Sequence, residues 1–138
     1  MSARNQIGDV STAIGLRLLI VEDHRDTAEL LSSLLELRGH EVTIASSVQD
    51  ALRLANESSF DLVVSDVGLP DATGYDLMRQ LKAQMPILGI AISGWGRPED
   101  IEKSRQAGFS EHLTKPVGLK NLEQAIRRTI GRSGSSTG

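Results

Sequence analysis

"LVVSDVGLPDATGYDL", residues 62–77, passes from a run of β-formers to a helical pattern through a loop of Gly, Pro, Asp and Thr. The apolar run stops abruptly at Asp66. An ionised carboxylate is costly to bury, so a carboxylate at the end of a buried strand must be hydrated, paired or used in chemistry. The segment therefore raises two questions, what fold it belongs to and what Asp66 does there.

Further β-like runs alternate with helical patterns on both sides of this segment. The five runs are "RLLIVE" (17–22), "EVTIA" (41–45), "DLVVS" (61–65), "ILGIAIS" (87–93) and "EHLT" (111–114). The third and fourth are almost unbroken apolar runs, which is typical of strands buried on both faces in a parallel sheet covered by helices. Five strand–helix units with short links predict an α/β fold, a doubly wound five-stranded parallel sheet with five helices.

The segments between the strands carry apolar stripes at helical spacing. The stripes are Leu30, Leu31, Leu34 and Leu35; Val48, Ala51, Leu52 and Ala55; Leu77, Met78 and Leu81; Ile101 and Ala107; and Leu119, Leu122, Ile126 and Ile130. We expect the first helix to stop at Gly39, a good left-handed C-terminal residue. The fourth stripe is the weakest, so its helix should be the least firmly packed.

Composition limits the class of protein. The chain has 138 residues, 39% apolar residues, a net charge of −3 and no cysteine. We expect one domain over residues 16–131 between flexible tails, 1–15 and 132–138, of which the first would suit a linker. Disulfides, thiolate metal sites and the basic field of a nucleic-acid-binding protein are excluded. With no signal-peptide pattern and no apolar run long enough to span a bilayer, we expect a cytoplasmic protein without membrane contact.

Polar residues end or directly follow four of the predicted strands. They are Glu22 and Asp23, Asp66, Ser93, and Lys115. In an open α/β sheet the ligand site lies beyond the carboxyl ends of the strands, so these residues should converge. Three carboxylates repel one another unless a cation joins them, and hard oxygen ligands favour Mg²⁺ over zinc. Together with an ammonium and a hydroxyl they indicate phosphoryl transfer, with Asp66 as the nucleophile.

Each of these residues also has a simpler interpretation. An Asp at a strand end is often a helix cap or turn former, Ser93 and Gly94 could form a turn, and Asp71 and Thr73 suit the loop after Pro70. Trp95 is interpreted first as a partly buried structural anchor. The chemical interpretation of Asp66 depends on the other polar residues lying close to it.

At this point the chain resembles a known family, the receiver domain of bacterial two-component response regulators, from about Leu16 to Arg128. Glu22-Asp23 is similar to the acidic metal-binding pair of that family, and "SDVGLPDATGYDL" (65–77) resembles its phosphoacceptor segment D-x-x-x-P-x-x-x-G-x-x-L. "ISG" (92–94) supplies a Ser/Thr position and "LTKP" (113–116) a Lys-Pro pair. The resemblance goes with a flavodoxin-like strand order, 2-1-3-4-5.

The resemblance implies a role for each matched residue. Asp66 would accept phosphate from a phosphohistidine on a histidine kinase or phosphotransfer protein. Asp23 and Asp66 would bind Mg²⁺ directly, with Glu22 acting through water and the backbone carbonyl of Gly68 as a further ligand. The domain would catalyse its own phosphotransfer and slow autodephosphorylation, although its main role would be that of a switch.

The phosphoryl oxygens would contact Ser93 and Lys115, and the Lys115–Pro116 bond is expected to be cis. Phosphorylation would pull Ser93 and change the surface formed by the fourth helix, fifth strand and fifth helix, where a downstream protein would bind.

Several positions depart from the family pattern. Gly68 offers no side chain over the site, and Glu22 is longer than the alternative Asp. His112, a switch candidate, stands three residues before Lys115, where the family commonly has a Tyr or Phe that swings inward. The usual aromatic ring is thus replaced by a polar ring that can still pack. Trp95 is expected to affect the lifetime of the phosphate, and Gly94 and Pro116 are further possible modulators.

Other functions compete with this interpretation. A flavodoxin-like nucleotide binder would need a phosphate cradle after the first strand, where "EDHRD" (22–26) would repel phosphate. A Mg²⁺-dependent phosphatase with an aspartyl nucleophile would carry an Asp at position 68. A pseudo-receiver, acting as a binding module, would lack part of the acidic set.

The chain could be a stand-alone regulator, a phosphorelay intermediate or the receiver of a hybrid histidine kinase, and the resemblance of residues 93–117 slightly favours the last.

Overall fold

The structure is a computed structural model that describes residues 15–137. Its strands are β1 (Arg17–Val21), β2 (Glu41–Ala45), β3 (Leu62–Asp66), β4 (Leu88–Ser93) and β5 (Glu111–Thr114). Its helices are α1 (Arg25–Leu37), α2 (Val48–Glu57), α3 (Gly74–Gln84), α4 (Pro98–Ala107) and α5 (Leu119–Thr137). Apart from Gly15, the predicted N-terminal tail lies outside the described residues. Between residues 15 and 137 no helix combines the length and apolar character that crossing a bilayer requires.

The five strands form one parallel sheet in the order β2-β1-β3-β4-β5. This confirms the predicted fold class and strand order. β3 is the central strand, with β1 on one side and β4 on the other, and all five of its residues are buried. The carboxyl end of β3 is Asp66 itself, so the strand delivers this carboxylate to the middle of the sheet edge.

Alternate residues of the strands face two separate apolar layers, as the two-residue period of a strand requires. One layer includes Leu19, Val21, Val63, Leu77 and Phe109. The other includes Leu18, Ile20, Val64, Leu35 and Ile126. Each such side chain contributes about 1.5–3 kcal/mol when fully buried, which makes these two layers the main source of stability.

Local signals explain where several helices begin and end. The hydroxyl oxygens of Ser47 and Thr73 accept the backbone N–H groups of Asp50 and Asp76, so each caps the helix that follows it. Pro98 opens α4, and Gly108 closes it in the left-handed region at φ +114°.

The structure differs from the predicted stripes at two helices. In α1 the buried residues are Ala28, Ser32 and Leu35, whereas Leu30 is 61% exposed. The face of α1 that packs on the sheet is centred on these smaller residues, and Leu30 lies outside it. In α4, Ala107 is buried beside the polar residues Asp100 and Ser104, and Ile101 is exposed.

The last helix is also longer than predicted. We expected a tail from residue 132, but α5 continues to Thr137. The prediction relied on the Gly and Ser residues of "RSGSSTG" (132–138), which lower helix propensity without forbidding a helix.

Candidate functional site

The carboxyl edge of the sheet brings together residues from separate strands. Glu22 and Asp66 are 6% and 7% exposed, and Ser93 is also buried. Lys115 follows β5 and extends its ammonium to both carboxylates, with its Nζ 2.8 Å from Asp66 Oδ2 and 3.9 Å from Glu22 Oε1. Buried carboxylates are thus paired with a cation, as their desolvation requires.

The Asp66 carboxylate is held at both oxygens. Oδ2 accepts a hydrogen bond from Lys115 Nζ, and Oδ1 accepts the backbone N–H of Gly68 at 3.2 Å. Burial alone would lower the pKa of Lys115, but the hydrogen bond to Asp66 and the charges of Asp66, Glu22 and Asp23 outweigh it and raise that pKa above its ordinary value. Lys115 therefore carries its positive charge throughout the neutral range.

The start of α3 packs directly against the backbone of Asp66. The Asp66 carbonyl accepts the Ser65 hydroxyl at 2.9 Å, and the backbone N–H of Gly74 donates to Val67 O at 2.8 Å. A Cβ at position 74 would collide with the carbonyl oxygen of Asp66 and crowd Val67 Cα. Position 74 thus requires glycine for this close approach, and the approach fixes the end of β3.

An acidic group lies beside Asp66. Ligand atoms of Glu22, Asp23 and His24 all fall within 4.8 Å of one another. Glu22 Oε2 accepts the backbone N–H of His24 at 3.1 Å and lies 3.2 Å from His24 Nδ1. Asp66 is not a member of this group; its oxygens accept hydrogen bonds from Lys115 Nζ and Gly68 N–H.

His24 is the residue that sequence reasoning missed at this site. Its side chain is 75% exposed, yet its ring nitrogen Nδ1 lies 3.2 Å from Glu22 Oε2. Its position two residues after Glu22 was the one available signal. The neighbouring carboxylate oxygens form the hard donor set that Mg²⁺ prefers, whereas an imidazole nitrogen suits it less, so the acidic residues fit this ion.

Ser93 ends β4 and begins the loop that leads to α4. Its Oγ accepts the backbone N–H of Trp95 at 3.0 Å, and its carbonyl accepts the backbone N–H of Lys115 at 2.8 Å. The hydroxyl can still donate its own proton, since an alcohol oxygen accepts and donates at once. The Lys115–Pro116 peptide bond is cis, as expected.

His112 connects three elements near Ser93. Its Nε2 lies 2.8 Å from Trp95 O in the β4–α4 loop, and its Nδ1 lies 2.6 Å from Ser104 Oγ on α4. A carbonyl oxygen can only accept, so we assign the proton to Nε2, and in the neutral ring Nδ1 then accepts the Ser104 hydroxyl. The ring is part of a hydrogen-bonded bridge between β5, the loop and α4.

The Trp95 side chain itself is 62% exposed, so the interpretation as a partly buried anchor is wrong. The guanidinium carbon of Arg97 lies 4.9 Å from the centroid of the indole ring. Arg97 also donates to Asp100 Oδ2 at 2.8 Å. The backbone of Trp95 is fixed by Ser93 and His112, while its ring is presented to solvent.

Comparison with known proteins adds a family to this geometry. Residues 18–127 match the family model described as the response regulator receiver domain. The chain is 31% identical over 137 residues to the virulence sensor protein BvgS of Bordetella pertussis, covering 90% of this chain and 11% of that protein. It is 35% identical over 122 residues to an uncharacterised 14.6 kDa protein of Leptolyngbya boryana, covering 86% of this chain and 93% of that protein.

A solved structure agrees in fold. The receiver domain of a Clostridium thermocellum response regulator superposes with a TM-score of 0.79 at 31% identity, covering 86% of this chain and 97% of that one. The residues matched by the family model, 18–127, include Asp66, Ser93 and Lys115.

Proposed function

The chain belongs to the response regulator receiver domain family of two-component signalling, and from this premise we propose that it accepts a phosphoryl group on Asp66 in a Mg²⁺-dependent reaction. The donor would be a phosphohistidine of a histidine kinase or phosphotransfer protein, the classes with which receiver domains interact. We also propose that the core of the domain spans residues 16–131, with the end of α5 extending beyond it, and that the protein acts in the cytoplasm.

One observation carries the proposal. The buried Asp66 carboxylate ends the central strand with Oδ2 2.8 Å from the Lys115 ammonium, and Glu22 and Ser93 lie at the same edge. A structural carboxylate would need one partner, whereas this edge gathers a nucleophile, a cation, a hydroxyl and further carboxylates. This is the set that phosphoryl transfer to a carboxylate requires.

In the proposed reaction a carboxylate oxygen of Asp66 attacks the phosphorus atom of the phosphohistidine. The new O–P bond forms as the N–P bond breaks, and the electron pair of that bond returns to the imidazole of the donor. Lys115 exchanges its contact with the Asp66 carboxylate for the phosphoryl oxygens and offsets their charge. The Asp66 carboxylate is itself almost fully buried, which strengthens these interactions.

The carboxylates of Glu22, Asp23 and Asp66 and the carbonyl of Gly68 would hold Mg²⁺. Bound there, the ion supplies positive charge that neutralises phosphoryl oxygens.

The donor would approach beside α1. A cavity of about 470 Å³ is bordered by Glu22 and Lys115, and its apolar wall includes Leu30, Pro116 and Val117. A helix that carries the phosphohistidine could place its apolar side chains on this wall while the imidazole reaches Asp66. This use would also explain why Leu30 is exposed.

The switch would act through Ser93 and His112. When the Ser93 hydroxyl donates to a phosphoryl oxygen, the backbone of Trp95 is drawn with it, since Trp95 N–H is bonded to Ser93 Oγ. The His112 bridge then transmits the displacement to α4 through Ser104. We propose that α4, β5 and α5 form the surface that binds the downstream protein.

The β4–α4 loop would also set the lifetime of the phosphate. Trp95 and Gly94 follow Ser93, and Pro116 follows Lys115, so these three residues flank the phosphoryl contacts. If the Trp95 ring limits the approach of water, Trp95→Ala should hydrolyse the acyl phosphate faster than the parent. An unchanged hydrolysis rate in a phosphate-release assay would remove Trp95 from this role.

A phosphatase with an aspartyl nucleophile is the nearest rival. That reaction needs an acid or base two residues after the nucleophile, and Gly68 provides none. A receiver needs no such group, because a persistent acyl phosphate is its signal.

The test uses the fluorescence of Trp95 during addition of Mg²⁺ and then of beryllofluoride, an analogue of the phosphoryl group. We expect a response to both in the parent and no beryllofluoride response in Asp66→Asn. Intact mass after incubation with a small phosphoryl donor should show one phosphoryl group in the parent alone. An Asp66→Asn variant that responds like the parent would disprove the proposal.

A further inference from the structure

Asp71 connects the loop after Asp66 to a helix that is distant in sequence. Its Oδ1 accepts the backbone N–H of Val48 at 2.9 Å, and its Oδ2 accepts the backbone N–H of Gln49 at 2.9 Å. Val48 and Gln49 open α2, and the first N–H groups of a helix have no acceptor within the helix. A carboxylate at this position also interacts favourably with the helix dipole.

The N-terminus of α2 is therefore capped from two sides. Ser47, the residue before the helix, accepts the N–H of Asp50 at 3.1 Å. Asp71 accepts the two preceding N–H groups from a loop 22 and 23 residues away in sequence. Backbone hydrogen bonds from Val48 and Gln49 lower the pKa of the Asp71 carboxyl, so it remains ionised and bonded throughout the neutral range.

The same loop presents the site. Residues 67–73 join Asp66 to α3 and include Gly68. The two ends of the loop are held by backbone hydrogen bonds, from Val67 N–H to Ile92 O and from Gly74 N–H to Val67 O. Among residues 69–72, the side-chain hydrogen bonds to another element are those of Asp71. The middle of the loop is thus tied to α2 by this carboxylate.

We infer that Asp71 is a positioning residue for the site, because its double hydrogen bond to the start of α2 holds the loop that presents Gly68 beside Asp66. The inference rests on the proposed function, in which the Gly68 carbonyl helps to hold Mg²⁺. It gives Asp71 a role beyond that of a turn former. A residue that serves α2 alone would affect stability without affecting metal affinity.

The chain offers a matched control for this distinction. Ser47→Ala removes the other cap of the same helix terminus, but Ser47 makes no hydrogen bond to residues 67–73. Asp71→Asn keeps one carbonyl oxygen and replaces the other oxygen with an NH₂ group, which cannot accept. It should therefore retain at most one of the two hydrogen bonds.

The experiment measures Mg²⁺ affinity from Trp95 fluorescence in the full chain, under conditions where every variant is folded. We expect Asp71→Ala to lose about 10-fold in Mg²⁺ affinity, a loss typical of removing a residue that orients a ligand. Asp71→Asn should lose less, and Ser47→Ala should match the parent. Amide hydrogen exchange in the metal-free protein should be faster over residues 68–72 in Asp71→Ala and unchanged there in Ser47→Ala.

The outcomes separate the inference from the proposed function. If the parent binds Mg²⁺ and Asp71→Ala and Ser47→Ala bind it with equal affinity, Asp71 is a cap alone and the inference is overturned. If the parent shows no response to Mg²⁺, the proposed function is overturned and the inference falls with it. A selective loss in Asp71→Ala, with faster exchange in its loop, supports both.

Discussion

The β3–α3 loop and the β4–α4 loop border the same site and are held in different ways. Residues 67–73 are fixed by backbone hydrogen bonds at both ends, by the close approach of Gly74 to Asp66 and by Asp71. Residues 94–97 are held by the side chains of Ser93 and His112, and they expose Trp95. Side-chain hydrogen bonds can be exchanged for bonds to a new ligand more easily than backbone packing can be rearranged. The first loop suits constant presentation of the site, and the second suits a change of conformation.

The largest expected effect comes from a substitution that disturbs the β3–α3 loop. Gly74→Ala should destabilise the protein by about 3 kcal/mol, because the added Cβ would collide with the carbonyl oxygen of Asp66 and the backbone would have to shift to relieve the clash. Urea unfolding measures this change. Gly68→Ala, in the same loop, is the control: its Cβ would meet nothing within 4 Å, so the change should stay within about 0.5 kcal/mol. Equal stabilities of the two variants would contradict the close approach.

Next in size is the effect of Lys115 on the chemistry between the two loops. Lys115→Ala removes the cation that lies 2.8 Å from Asp66, and we expect phosphorylation to slow by about 100-fold, as when one charge-stabilising donor is lost. A time course of intact mass with a small phosphoryl donor measures the rate. Lys120→Ala, a surface lysine early in α5, should leave the rate unchanged and serves as the control. A Lys115→Ala variant with the parental rate would argue against this role.

The β4–α4 loop should be sensitive to substitution of His112. His112→Phe leaves the buried Ser104 hydroxyl and the Trp95 carbonyl without this partner, so the free energy of unfolding should fall by about 1–2 kcal/mol. The response of Trp95 fluorescence to beryllofluoride should also weaken. In a double-mutant cycle, adding Ser104→Ala to His112→Phe should cost less than Ser104→Ala costs alone. Fully additive effects would show that the bridge carries no coupling.

The smallest expected effect is on the pH dependence of stability, through Asp71 in the β3–α3 loop. The pKa of Asp71 is lowered in the folded protein by its bonds to Val48 and Gln49. Its contribution to stability is therefore complete above the unfolded pKa, about 3.9, and is lost as the pH falls through the lower folded pKa. Asp71→Asn should lower the stability at neutral pH and flatten its decline below about pH 4. An unchanged acid limb in thermal unfolding would contradict this assignment.

Much of the fold was predictable because parallel sheets leave a strong pattern. The apolar runs gave the five strands to within about a residue, and the rule that polar residues gather at the carboxyl ends brought Glu22, Asp66 and Lys115 to one edge. The strands were predicted from the local pattern of apolar residues. Their parallel arrangement follows from the alternation of strands and helices along the chain.

The missing parts depend on contacts between distant segments. Asp71 was interpreted as a turn residue. The N–H groups that donate to its carboxylate lie more than twenty residues earlier in the sequence, at the start of α2, and no local pattern indicates them. The partner of His112 on α4 and the exposure of Leu30 depend on how each helix is rotated on the sheet. A periodic stripe indicates which side of a helix can be buried, but the depth and rotation are set by the neighbours.

The burial of β3 has a mechanical consequence. This strand is bonded to a neighbour on each side and packed against an apolar layer on each face, so sliding it would break both ladders and disturb both layers. In the proposed phosphorylation, charge would therefore be added at the end of a strand that cannot slide without breaking these ladders. The central strand would act as a fixed frame of reference, and the response would appear as displacement of the groups around it.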